Sequence, residues 1–397
     1  MCVYAALHVQ PHGERVTMGS TKRDFSVYLR REPVLLALLS GLAVLAFLAV
    51  GALSRVFHAQ QDALAIRWSA RGAADLKAQH FDSAVTEFRT ALLYSRGNFS
   101  YELGLAQALI GLKRASEADA YLINLWGQRP ENGLVNLELA RTAAGRGETE
   151  QALRYYHNAI YAPWPGDQEA QERNARLELI NYLLGINART QAQSEMISLA
   201  ANLEDDPAQQ TNLGALFMRA QDYEHGLAAY RRALSIAPHD PAALAGAGLA
   251  AYELGRYPIA QRYLEHAVED APSDTASAAL LRITELVLRM DPFRRQIRAA
   301  QRDRSALDAF AAAGERLKSC PHTAASLAPA KSREDLQTEW AKLKPQMTER
   351  GFRNNPDLVN TAMELVFKIE RTSNQGCNAP TDTDMALLLI AKLHEGS

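Results

Sequence analysis

The chain has 397 residues, 47% of them hydrophobic and 22% charged, with a formal net charge of −2. That composition excludes a disordered chain and lacks the basic excess of a typical nucleic-acid binder. Alanine is plentiful, and the Val, Ile and Thr runs that make strands are scarce, so helices are expected throughout.

Residues 1–32 read as a disordered cytoplasmic tail, with Met18 an alternative start. "PVLLALLSGLAVLAFLAVGAL", Pro33 to Leu53, follows without a charged residue. As a helix it spans about 31 Å, the thickness of a bilayer's hydrocarbon core. Lys22, Arg23, Arg30 and Arg31 precede it, while only Arg55 and Arg67 follow closely. This bias predicts a single-pass helix over residues 33–53 in an inner or plasma membrane. The N-terminus would stay in the cytoplasm and the rest would lie on the extracytoplasmic, periplasmic side. A signal peptide cleaved after "VGA" at Ala52 is the competing reading. Signal cores run to about 7–15 residues, so the length favours an uncleaved anchor. No Gly or Pro lies between Ala52 and Gly72, which lets the helix continue into the first soluble one.

Downstream, "LGALFMRAQDYEHGLAAYRRALSIAP" ends at Pro238 and "AGLAAYELGRYPIAQRYLEHAVEDAP" at Pro272, an offset of 34 residues. The same punctuation extends upstream. Small residues recur at Ala84, Ala118, Ala152, Ala192, Gly226 and Ala260, with spacings of 34, 34, 40, 34 and 34. The longer interval falls in "APWPGDQE", Ala162 to Glu169, a loop by its prolines and glycine. Small residues let two helices approach, and Phe88, Tyr156 and Tyr230 fill the space toward the next pair. Pro238 and Pro272 follow second helices, which proline cannot continue, and Pro258 stands where one begins.

Between Leu64 and Pro272 this pattern resembles the tetratricopeptide repeat family. Leu213-Gly214, Phe217, Tyr223, Gly226, Tyr230, Ala233 and Pro238 form the fullest copy, and Leu179, Leu183, Ala192, Met196 and Leu199 the weakest. The resemblance implies an all-α solenoid of helix-turn-helix repeats, each pair burying its apolar face on the next. The expected organisation is the tail, the membrane helix, six repeats over 54–272, capping helices over 273–318 and a small helical module over 319–397. Family position carries a partner-binding groove onto Leu103, Gln107, Leu137, Arg141, Asn181, Asn212, Met218, Arg219 and Tyr252. Few of these are charged, so the expected ligand is a helical or extended protein segment held by apolar contact, not a C-terminal carboxylate. The chain's own C-terminal helices are the other candidate occupant.

In the last third, "TASAALLRITELVLRM" reads as half a repeat, and "PFRRQIRAAQRDRSALDAFAAAGERLKSC" as one long helix with a solvated arginine face. Ser332 to Asp335 reads as a capping box, and Asn355 with Pro356 as the start of a helix. Cys320 and Cys377 form a candidate disulfide if the module is extracytoplasmic, two free thiols being the alternative. Cys320 beside His322 lacks the further ligands that a metal needs.

The ten histidines form no paired ligand set, and no nucleophile elbow or phosphate loop is present. The expectation is a non-enzyme that uses no cofactor, metal, nucleic acid or small-molecule substrate. It would be a membrane-anchored interaction scaffold, or else an accessory subunit of an envelope assembly, secretion or cytochrome-maturation machine.

Overall fold

A computed structural model describes residues 25–203, 205–319, 330–377 and 379–394, and no strand occurs among them. The chain divides into two compact units, Met1–Pro130 and Glu131–Ser397.

The first unit holds α1 (Phe25–Lys77), α2 (Phe81–Tyr94), α3 (Phe99–Gly111) and α4 (Ala115–Gln128). α1 runs unbroken for 53 residues and begins before the apolar segment rather than at it. From Val34 to Phe57 its large apolar side chains are 54–78% exposed. It is the one helix among the described residues long and apolar enough to cross a membrane. Burial starts at Ala65, where α1 becomes the first helix of a hairpin with α2.

The second unit continues with α5 (Gly133–Gly145), α6 (Thr149–Ile160), α7 (Gln168–Gly185), α8 (Arg189–Ala201), α9 (Pro207–Arg219), α10 (Tyr223–Ile236), α11 (Pro241–Glu253) and α12 (Tyr257–Asp270). These are four hairpins, each packed on the next in chain order. The small residues expected at helix contacts are buried: Ala84, Ala118, Ala152, Ala192 and Ala260 are all 0% exposed.

Two close contacts show why glycine recurs. Phe88 of α2 lies between Gly72 of α1 and Gly104 of α3; a Cβ on Gly104 would stand 2.4 Å from its ring. Tyr230 of α10 lies between Gly214 of α9 and Gly246 of α11, where an added Cβ would come within 2.3 Å. Each aromatic ring therefore fills space that two first helices leave by having no side chain there.

The turns inside the hairpins repeat a single backbone feature. Gln79, Lys113, Gly147, Asn187, Gln221 and Gly255 all adopt φ between 60° and 75°. First helices are capped alike: Asn98, Asn132, Asp167, Asp206 and Asp240 accept hydrogen bonds from backbone N–H groups of α3, α5, α7, α9 and α11. In the 161–167 loop, the Trp164 Nε1–H donates to the Ala159 carbonyl at 2.8 Å, and its ring covers Gly133.

Beyond the hairpins, α13 (Thr275–Met290) packs on α12 and α11, capped by Asp274. It is followed by α14 (Ala299–Ser319), α15 (Ala330–Leu343), a 3-10 turn (Lys344–Gln346), α16 (Glu349–Asn354), α17 (Leu358–Gly376) and α18 (Asp382–Leu393). One buried core runs from Leu227 and Tyr230 through α11–α14 to Val366 and Ile390. The C-terminal helices thus share the core of the last hairpins.

Three local expectations change. α14 starts at Ala299, because Asp291 accepts the Phe293 N–H at 2.9 Å and Gln296 turns with φ 65°. Ser332 falls inside α15 rather than before it, since that helix already begins at Ala330. α17 begins at Leu358, and Asn355 instead accepts the N–H of Asp357 at 3.2 Å. The capping box belongs to α18, between Thr381 and Asp384.

Candidate partner-binding face

The first helices α5, α7, α9 and α11 bring most of the family-assigned groove residues into the second unit. Leu103 and Gln107 lie on α3 in the first. Their exposure separates them. Leu103, Leu137 and Tyr252 are 8%, 6% and 9% exposed and belong to the core. Tyr252 meets Tyr257 edge-on, with ring centroids 5.7 Å apart. These three hold the helices together and offer a ligand little area. Gln107, Arg141 and Met218 are half-buried, and Asn181, Asn212 and Arg219 are exposed.

Two polar links tie the first helices to one another. Arg141 of α5 donates to Glu178 of α7 through Nε at 2.9 Å and Nη2 at 2.5 Å, and to Glu138 on its own helix at 2.9 Å. The bond to Glu178 raises the Arg141 pKa further above its ordinary range, so it stays charged. Arg219 of α9 donates to the Asn181 side chain of α7 at 2.8 Å, and Asn181 donates to the Leu177 carbonyl at 2.9 Å. Both arginines are therefore engaged within the chain. Beside them lie exposed Ala215 and Ala242 and half-buried Leu177, Met218 and Leu249. Burial pushes the Tyr156 and Tyr230 hydroxyls up to about 12, so both rings are neutral.

The C-terminal helices cover a different part. α18 packs on α13 and α14, and α17 on α14. Leu393 reaches Gly255 in the turn between α11 and α12, and His394 Nε2 lies 3.2 Å from the Asp291 carboxylate. Among the described residues, α18 thus seals the end of the last hairpin.

Cys377 terminates α17 and is disulfide-bonded. Cys320 lies outside the described residues, as do His322 and residues 1–24 of the expected tail.

Sequence reasoning missed two functional-looking regularities. The Asn/Asp caps recur near the 34-residue period and could have been found by extending the alignment outward from the helix centres. The Arg141–Glu178 and Asn181–Arg219 links pair residues 37 and 38 apart on successive first helices, and no short pattern encodes them.

A tetratricopeptide repeat family model matches residues 213–300, from within α9 to the start of α14. Among solved structures, the C-terminal part of a repeat protein from Cytophaga hutchinsonii aligns with TM-score 0.44 and 12% identity, covering 61% of this chain and 94% of that one. PilF of Pseudomonas aeruginosa aligns with TM-score 0.40 and 13% identity, over 55% and 97% of the two chains. A tetratricopeptide repeat protein from Parabacteroides merdae aligns with TM-score 0.38 and 14% identity, over 70% and 98%. No curated protein matches the chain.

Proposed function

From the tetratricopeptide repeat match over residues 213–300 and the hairpins that precede it, we propose that the chain is an interaction scaffold whose first-helix face on α7, α9 and α11 holds a segment of another protein. The observation that carries this reading is the row of exposed small and polar side chains at Asn181, Asn212, Ala215 and Ala242, which form no part of the core. A partner helix or extended strand would meet shallow, nearly neutral ground there. Such a surface selects by shape and apolar contact rather than by charge. Leu137 and Tyr252 shape this ground from beneath.

The scaffold is anchored through α1, with its repeats on the extracytoplasmic side. Support comes from the bare apolar half of α1 and from the disulfide-bonded Cys377, a state that suits an oxidising compartment. Cys320 is the proposed partner of Cys377.

The test is crosslinking in cells, comparing the full chain with an Asn212→Arg/Ala215→Arg variant. Both positions are exposed, so folding should survive, as an unchanged thermal midpoint would show. Loss of a defined crosslinked partner in the variant, with retention in an exposed α8 control such as Ser194→Arg, supports the reading. Identical partners in all three chains would overturn it.

A further inference from the structure

One row of side chains on α1 runs without a break from the apolar segment into the first hairpin. Starting at Leu38 and stepping alternately four and three residues, every position as far as Ala73 is Ala, Val, Leu or Ile. Every one of these positions is exposed. Inside the apolar segment any such row would be apolar. Beyond Leu53 it is not a matter of composition, because Gln60, Asp62 and Arg67 stand between its members. Two of those members are large: Val56 is 54% exposed and Ile66 60%. Steps that alternate in this way are the heptad spacing by which two helices wind about each other.

The hairpin occupies another side of the helix. Ala65 and Gly72 are buried there, and they lie about 100° and 120° around the axis from Ile66. Arg71 and Asp75 also belong to that side, where both act on Glu87 of α2. The flanks of the row carry opposite charges. With Ala63 and Ile66 as the a and d positions of one heptad, Asp62 takes the g position before it and Arg67 its e position. Both are exposed, and neither has a hydrogen-bond or ion-pair partner among the described residues. In two parallel helices the g position of one lies beside the e position of the following heptad in the other. Asp62 thus meets Arg67 of a second copy, and the two-fold symmetry supplies the reverse pair. Arg55 meets Gln60 in the same way. No like charges face each other before Lys77, where the row ends.

We propose that α1 pairs in parallel with α1 of a second copy of this chain along this row, with Asp62 and Arg67 linking the two copies on either flank. The proposal rests on the anchored reading of α1, which inserts both copies in one direction and brings their rows to the same height. Alanines along the row let the two backbones approach, in lipid as in water, and Leu42, Leu45, Val56 and Ile66 fill the space between them. The unbroken helix keeps the two halves of the row in one register. The charges select the occupant. An acid and a base at this separation complement themselves, which a second copy supplies and an unrelated helix does not.

The experiment co-expresses two full-length copies with different tags, extracts them in mild detergent and isolates one tag. Wild type should bring down the second tag. Asp62→Arg in both copies, or Arg67→Asp in both, sets like charges against each other and should weaken association about ten-fold. Asp62→Arg in one copy with Arg67→Asp in the other restores both pairs and should return recovery close to the wild-type level. Both positions are exposed, so an unchanged thermal midpoint is expected of each variant. Equal recovery from every pairing, or loss without rescue in the mixed pair, overturns the proposal. So does a wild-type chain that resists carbonate extraction yet brings down no second tag, and this result leaves the anchored reading standing. Release of wild type by carbonate overturns the anchored reading, and the parallel pairing with it.

Discussion

At the residue scale, the most consequential side chain is one the repeat pattern does not predict. Glu370 of α17 is 1% exposed, and one of its carboxylate oxygens has no hydrogen-bond partner. Burial first, and the Asp384 carboxylate of α18 second, push its pKa from 4.5 up to about 8, against the pull of Arg316 on α14. The folded protein therefore keeps a proton that the unfolded chain gives up above 4.5. Stability from this group is greatest in acid and is lost as pH rises through that window to about 8, at about 1.4 kcal/mol per unit of pH. Urea unfolding of wild type and Glu370→Gln should diverge progressively over that window, the variant losing less; parallel curves would refute the assignment. The hairpin turns give a second residue-scale prediction. Lys113 adopts φ 60°, which costs an L-residue about 1–2 kcal/mol. Lys113→Gly should gain about 0.5–1 kcal/mol after glycine's own entropy is subtracted. Gly255→Ala should lose more than that, because its Cβ would also stand 2.6 Å from Leu393.

At the element scale, Gly246 tests how tightly the hairpins are packed. An alanine improves helix propensity by about 1 kcal/mol, yet here its Cβ would overlap the Tyr230 ring. Overpacking of this kind costs about 1–3 kcal/mol, so Gly246→Ala should lower the unfolding midpoint, and Gly246→Ala/Tyr230→Leu should recover part of the loss. An unchanged midpoint in Gly246→Ala would mean that the ring has room to move. Elements of this sort were largely legible in the sequence. Ala84, Ala118, Ala152, Ala192, Gly226 and Ala260 marked the second helices because close packing demands small residues at a fixed period. Legibility failed where no period constrains the chain. Ser332 and Asn355 satisfied local capping rules, but the backbone of α15 had already begun at Ala330 and Asn355 sits in a turn. The candidate site was legible only in outline. Family position identified the first-helix face, but could not separate Leu103, Leu137 and Tyr252, which the core claims, from Asn181 and Asn212, which it leaves outside.

At the scale of the whole molecule, the fold does not need the apolar half of α1. Nothing among the described residues covers Val34 to Phe57, and α1 first becomes buried at Ala65. A chain starting at His58 should therefore unfold within about 2 °C of the full-length midpoint, measured in the same detergent, and should no longer sediment with membranes. A large drop would show that the segment packs on the body. The absence of any break in α1 between Leu53 and Ala65 has a further mechanical result. Each residue of a helix turns its successor by about 100° while advancing it only about 1.5 Å. Adding a single alanine within that stretch would barely change the height of the first hairpin, yet would swing it through more than a quarter turn about the rod. Compass bearing, rather than distance, is what this length of helix fixes.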